Sequence, residues 1–226
     1  VTAFAVLNEG EQRVGEFRGE MAFDYDKGLT RFDYGGGFKQ GYQGREEKAK
    51  PLDKRTYRLV RTPDFTLFGG HGDVLRRHPA RDCSAVLCPF TIRATGLTRF
   101  SSWKIDGFGD VRDAYERKDD PTAYRCADGL LHLVWSGVGA YDTKFRLEVL
   151  MDERLDGVPV GYRSFISPPK RDSPISFESA ADVTWIRSDA GTMVPERVEF
   201  TEADGDRVLV EFRWLSVGQE LDDRLF

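Results

Sequence analysis

Alternation of apolar and polar residues dominates the chain. Phe17, Gly19, Met21, Phe23 and Tyr25 fall on one face of an extended segment, and Arg18, Glu20, Ala22 and Asp24 fall on the other. This is the two-residue period of a strand with one dry and one wet side. The period returns in Phe145, Leu147, Val149 and Met151 against Arg146, Glu148 and Leu150, and in Val208, Val210, Phe212 and Trp214 against Arg207, Leu209, Glu211 and Arg213. One-sided burial belongs to antiparallel sheets, because parallel ones are covered on both faces. Between apolar-rich runs stand Asp26-Lys27-Gly28, Asp128-Gly129, Asp156-Gly157, Asp189-Ala190-Gly191 and Asp204-Gly205. Their glycines supply the positive φ that tight hairpin turns demand. Strands joined in series by such turns make a meander. The expected fold is therefore mainly β: a large curved antiparallel sheet, an open half-barrel of about nine to eleven strands, with one or two short helices on its concave face.

Two segments break the alternation. Gly35 to Lys50 is glycine-rich and then charged, the composition of a mobile surface loop between strands. In Arg81 to Pro121, Asp110 can cap a short helix that places Val111, Ala114 and Tyr115 on one face. That helix is expected to lie against the sheet.

A length of 226 residues fits a single β domain covering residues 1–226. With 16 Phe, 8 Tyr and 4 Trp, the chain holds enough aromatic area for a real core and too much to leave exposed. The formal charge of −5 comes from finely interspersed acids and bases, so no basic stripe for nucleic acid is formed. No apolar run approaches the roughly 20 residues of a membrane span; the longest candidates, such as Leu130 to Trp135, are strand-sized. The chain begins at Val1 without a charged and then apolar leader, so either a signal was removed or the start was trimmed.

Candidate chemistry is sparse. His71, His78, Cys83 and Cys88 are all metal-capable, but structural zinc sites place ligand pairs two to four residues apart on a tight turn, so no metal is expected there. Cys83 and Cys88 could instead bridge a short loop, and with Cys126 making three, at least one thiol is left unpaired. His132, flanked by Leu131 and Leu133, would act as a general base only if a carboxylate or nucleophile faced it, and the sequence supplies no such geometry. The adjacent acid pairs Asp119-Asp120, Asp152-Glu153 and Asp222-Asp223 point to opposite faces of an extended chain and make no dyad. No nucleophile elbow, phosphate loop, zinc-protease or dinucleotide fingerprint is present. No cofactor is expected.

The run Gly15-Glu16-Phe17-Arg18-Gly19-Glu20-Met21-Ala22-Phe23-Asp24-Tyr25, followed by Arg31-Phe32-Asp33, resembles the opening hairpin of the outer-membrane lipoprotein carrier superfamily, the LolA/LolB-like proteins. Val194 to Phe200, Val208 to Trp214 and Leu221 to Phe226 are similar to the closing strands of those proteins, and of a group of uncharacterised secreted planctomycete proteins. The resemblance implies an open curved sheet wrapped around helices, with an apolar cavity that takes acyl chains. No motif fixes which of Arg18, Arg31 or Arg58 would correspond to the family's gating arginine.

The expectation is an extracytoplasmic, periplasmic or secreted, non-enzymatic carrier or sensor of an acyl chain. Its lining would be Phe17, Met21, Phe23, Tyr25, Phe32, Trp185, Phe212 and Trp214. Two alternatives stand beside it. One is an envelope scaffold domain with a filled interior and a protein partner; the other is an enzyme using His132 or the His71 to Cys88 loop.

Overall fold

The computed structural model describes residues 1–9, 12–24, 26–38, 56–70, 75–79, 121–138, 143–167 and 173–222. They form β1 (Thr2–Glu9), β2 (Gln12–Asp24), β3 (Leu29–Phe38), β4 (Thr56–Arg61), β5 (Phe65–Gly70), β6 (Arg76–Pro79) and β7 (Thr122–Arg125). There follow β8 (Leu131–Val138), β9 (Lys144–Asp152), β10 (Val158–Ile166), β11 (Ser176–Arg187), β12 (Met193–Glu202) and β13 (Arg207–Arg213). All thirteen belong to one sheet in the order β6-β5-β4-β3-β2-β1-β13-β12-β11-β10-β9-β8-β7. Every neighbouring pair is antiparallel. The sheet is a meander that does not close into a barrel: its edges are β6 and β7, and its first and last strands pair with each other at the centre.

The five hairpin turns read from the sequence are formed. Gly28, Gly129, Gly157, Gly191 and Gly205 all have positive φ, and Asp156 joins Gly157 with φ of 61°, so that turn has two successive left-handed residues. Pro79 ends the edge strand β6, and two further prolines lie inside longer strands, where a missing N–H would break the ladder. Both stand at register shifts: Pro159 in β10, and Pro195 in β12 opposite the irregularity at Thr184 and Trp185. A bulge is where the lost bond costs least.

The alternation sorts the sheet into two faces, and the register carries one apolar face across nearly its whole width. Phe68 pairs with Leu59, Leu59 with Phe32, and Phe32 with Met21. Across the centre Ala3 pairs with Phe212, Val210 with Val198, and Val198 with Val183. Beyond it Ala181 pairs with Tyr162, Tyr162 with Val149, and Val149 with Leu133. These residues make one hydrophobic cluster.

Three details depart from the sequence reading. Thirteen strands are formed among the described residues, because the four-residue edge strands β6 and β7 are too short to show an alternation. Gly35–Phe38, read as the start of a loop, continues β3 and pairs with Arg18 through Gly15 of β2. At Gly36 the strands approach closely: it lies opposite Phe17 with φ of 153°, and a Cβ there would meet the β2 backbone. The helix expected around Asp110 lies outside the described residues, among which the one helical turn is a 3-10 turn at Glu153–Leu155. Among the described residues no helix is long and apolar enough to cross a membrane.

Candidate functional site

Seven of the eight residues expected to line a cavity belong to, or pack against, the single apolar cluster; Tyr25 lies outside the described residues. Phe17, Met21, Phe32 and Phe212 are buried within it, Phe32 to 1% exposure. Phe23, Trp185 and Trp214 are half-buried at its margin. Phe23 meets Phe32 edge-on, with centroids 5.6 Å apart and rings at 81°, the arrangement favoured by aromatic quadrupoles. Each tryptophan is tethered by its indole: Trp185 Nε1 donates to the Pro159 carbonyl at 2.8 Å and Trp214 Nε1 to the Pro195 carbonyl at 2.7 Å. Both acceptors sit on the proline irregularities, so the bulges receive side-chain donors and the rings are held in place.

The opposite face is polar, and the sequence reading did not single it out. A groove of about 1330 Å³ runs across the centre of the sheet, lined by Thr2, Phe4, Arg18, Glu20, Asp33, Arg58, Arg197, Glu211 and Arg213 among others. Arg18 lies over the Phe4 ring at 5.3 Å. Asp33 accepts from Arg58 Nε at 2.7 Å and from Arg31 Nε at 2.8 Å. Burial pushes the Asp33 carboxyl up, but the hydrogen bonds and charges of Arg58 and Arg31 outweigh it and hold the group below the usual carboxylate range. Charges of both signs line the groove, so it presents no single-sign field for a charged ligand.

His132 also lies on the polar side, and the structure supplies the partners that the sequence did not. Its Nδ1 is 2.7 Å from Glu148 Oε1 and its Nε2 3.1 Å from Asp128 Oδ2. The Tyr124 hydroxyl donates to the same Glu148 oxygen at 2.9 Å, and its ring stacks on the imidazole with centroids 5.2 Å apart. Burial lowers the His132 pKa, but hydrogen bonds and charges from Glu148 and Asp128 raise it overall. Burial likewise raises Glu148, which His132, Tyr124 and Arg146 pull below its ordinary value. The available signal was that His132 and Glu148 each sit between apolar neighbours in alternating strands, which puts both on the polar face. Their meeting depends on register, since His132 pairs with Leu150 and Glu148 with Val134, so they are diagonal neighbours. His71, Cys83 and Cys88 lie outside the described residues, and His78 is described only through its backbone pairing with Thr66.

No family model matches the chain, and no curated protein sequence does. Solved structures do. One, described as an outer membrane lipoprotein-sorting protein domain from Vibrio parahaemolyticus, is 9% identical and superimposes with a TM-score of 0.48 over 99% of this chain and 86% of that one. A LolA superfamily protein from Nitrosomonas europaea is 10% identical, with a TM-score of 0.50 over 100% of this chain and 88% of that one. At such identity the likeness to the second is one of fold, and it spans the whole of the sheet described above. The fold of this chain is similar to that of the LolA superfamily protein from Nitrosomonas europaea.

Proposed function

We propose that the chain is a non-enzymatic carrier acting outside the cytoplasm, and that it holds an acyl chain or other apolar ligand against the apolar face of its sheet. The observation that carries this reading is the continuity of that face, which runs strand by strand from Phe68 to Leu133 in one cluster. The proposed lining is Phe17, Met21, Phe23, Tyr25, Phe32, Trp185, Phe212 and Trp214. Burying a methylene contributes about 0.8 kcal/mol, so roughly ten methylenes contribute about 8 kcal/mol before costs, the scale of micromolar binding. The fold shared with a LolA superfamily protein supports a carrier and an extracytoplasmic location. Entry would proceed at the half-buried margin, beside Phe23, rather than through the closed centre.

The scaffold reading is favoured by one observation: the middle of the face is fully closed, with Phe200 at 1% exposure and Val198 and Val210 at 0%. One experiment separates the two. Native mass spectrometry of the purified protein is expected to show co-purified lipid, and titration with a fluorescent fatty acid is expected to saturate. Phe23→Ala should weaken probe binding more than it lowers the denaturation midpoint. A protein that arrives without lipid, never binds the probe and loses about 3 to 5 kcal/mol on Phe23→Ala, the range for truncating a packed phenylalanine, would sink the carrier and leave the scaffold.

A further inference from the structure

We infer that Cys126, Asp128 and His132, at the turn of the β7–β8 hairpin, form a site for a divalent transition metal of the zinc type, with Glu148 orienting the imidazole from behind. The site uses none of the residues weighed for metal in the sequence, where Cys126 appeared only as the third of three thiols.

The hairpin assembles the three donors. Tyr124 pairs with His132 across the ladder, and the Cys126 amide donates to the Leu130 carbonyl at 3.4 Å, extending the ladder beyond Arg125. Cys126 stands two residues beyond Tyr124 and so on the same face as His132. Gly129, with φ of 80°, bends the chain, and its amide donates to the Cys126 carbonyl at 3.1 Å. Asp128 is thereby folded back: one carboxylate oxygen accepts the Leu130 amide at 2.9 Å and the other faces His132 Nε2. The thiol sulfur, a carboxylate oxygen and an imidazole nitrogen all lie within 4.8 Å of one another. Ligands of a tetrahedral zinc stand about 3.3 to 3.5 Å apart by the usual bond lengths. The remaining contraction is of the order of 1 Å, within reach of rotations of the exposed Cys126 and Asp128 side chains.

The second observation is the imidazole's own surroundings. A carboxylate faces each ring nitrogen. When Nδ1 donates to Glu148, Nε2 turns a lone pair toward the Asp128 oxygen, and two acceptors face each other unless a cation stands between them. A proton would satisfy that pair; a metal ion would satisfy it and engage the thiolate as well. Glu148, 9% exposed and also held by the Tyr124 hydroxyl, has the placement of the outer carboxylate that fixes tautomer and ring orientation in histidine–metal sites. A set of sulfur, nitrogen and oxygen donors selects a borderline metal over calcium or magnesium, which take oxygen. Three protein ligands leave a fourth position for water.

The test uses the full chain, reduced and stripped with a chelator, then titrated with Co²⁺ alone and with Zn²⁺ alone against a chromogenic chelator. One equivalent of Co²⁺ should bind and give a thiolate-to-cobalt charge-transfer band. Cys126→Ser, at an exposed position that the fold does not need, should abolish the band and weaken Zn²⁺ by at least about tenfold, while Glu148→Gln weakens it by about 10- to 100-fold. The double variant Cys83→Ser, Cys88→Ser should keep the band. Absence of the band from the parent protein, its survival in Cys126→Ser, or its loss in the double variant would overturn the assignment and leave His132 paired through a proton only.

Discussion

Gly36→Ala isolates the cost of close strand approach. Gly36 sits in β3 opposite Phe17 with φ of 153°, a conformation that side chains rarely adopt. A Cβ built there would lie 2.6 Å from Phe17 Cδ1 and 2.7 Å from Phe17 Cα, and closer still to the Glu16 carbonyl oxygen. The ring can swing away, but the backbone of β2 cannot yield without parting from β3. Backbone strain of about 1 to 3 kcal/mol and overpacking of about 1 to 3 kcal/mol both apply, and partial relaxation leaves an expected loss of about 2 to 4 kcal/mol. Gly205→Ala is the control. Gly205 has φ of 91° in the β12–β13 turn, but its added Cβ meets nothing within 4 Å, so only the conformational penalty of about 1 kcal/mol remains. Urea denaturation of the three proteins, read by tryptophan fluorescence, gives both numbers. Equal losses in the two variants, or less than about 1 kcal/mol for Gly36→Ala, would show that β2 and β3 do not approach as described.

Asp33→Asn should destabilise by about 1 to 2 kcal/mol at pH 7, through loss of charge-assisted bonds from Arg58 and Arg31. Because the folded carboxyl is held below its ordinary value, its contribution is present above the unfolded pKa of about 3.9 and disappears as pH falls through the lower folded value. The gap between variant and parent should therefore close in acid, and a gap that urea melts find unchanged from pH 7 to acid would contradict the ion pair. Trp214→Phe should cost about 1 to 3 kcal/mol, since the Pro195 carbonyl loses its indole donor at 2.7 Å; a melt indistinguishable from the parent would show that the tether contributes nothing.

Local features of the fold could be read from the chain, and non-local ones could not. The face of Phe17, Met21 and Phe23 and the turn at Asp156-Gly157 depend on residues within a few positions, where alternation and positive φ speak directly. Gly35–Phe38 misled because glycine composition resembles a loop, while the physical cause, a neighbouring backbone at Glu16 and Phe17, comes from another strand. The candidate lining was nameable because it follows from alternation. The grouping of Asp128, His132 and Glu148 was not, because a diagonal contact requires the register of β8 on β9, which no single strand encodes.

The pairing of β1 with β13 bears on how the molecule is made as well as on what it looks like. Each half of the sheet, β1–β6 and β7–β13, grows mainly by joining strands to their sequence neighbours, but the seam between the halves brings Thr2 to Arg213, 211 residues away. Closing so long a loop from an open chain costs about 2.7 kcal/mol more than closing a ten-residue hairpin. The two meanders therefore have reason to consolidate first, in the step that limits folding, and to dock last. Substitutions at Ala3 or Val210 would then speed unfolding and leave the folding rate nearly untouched, whereas changes inside either half would slow folding itself. Until the seam closes, both halves present unpaired strand edges, and the newly made chain is at its most prone to aggregate during that interval.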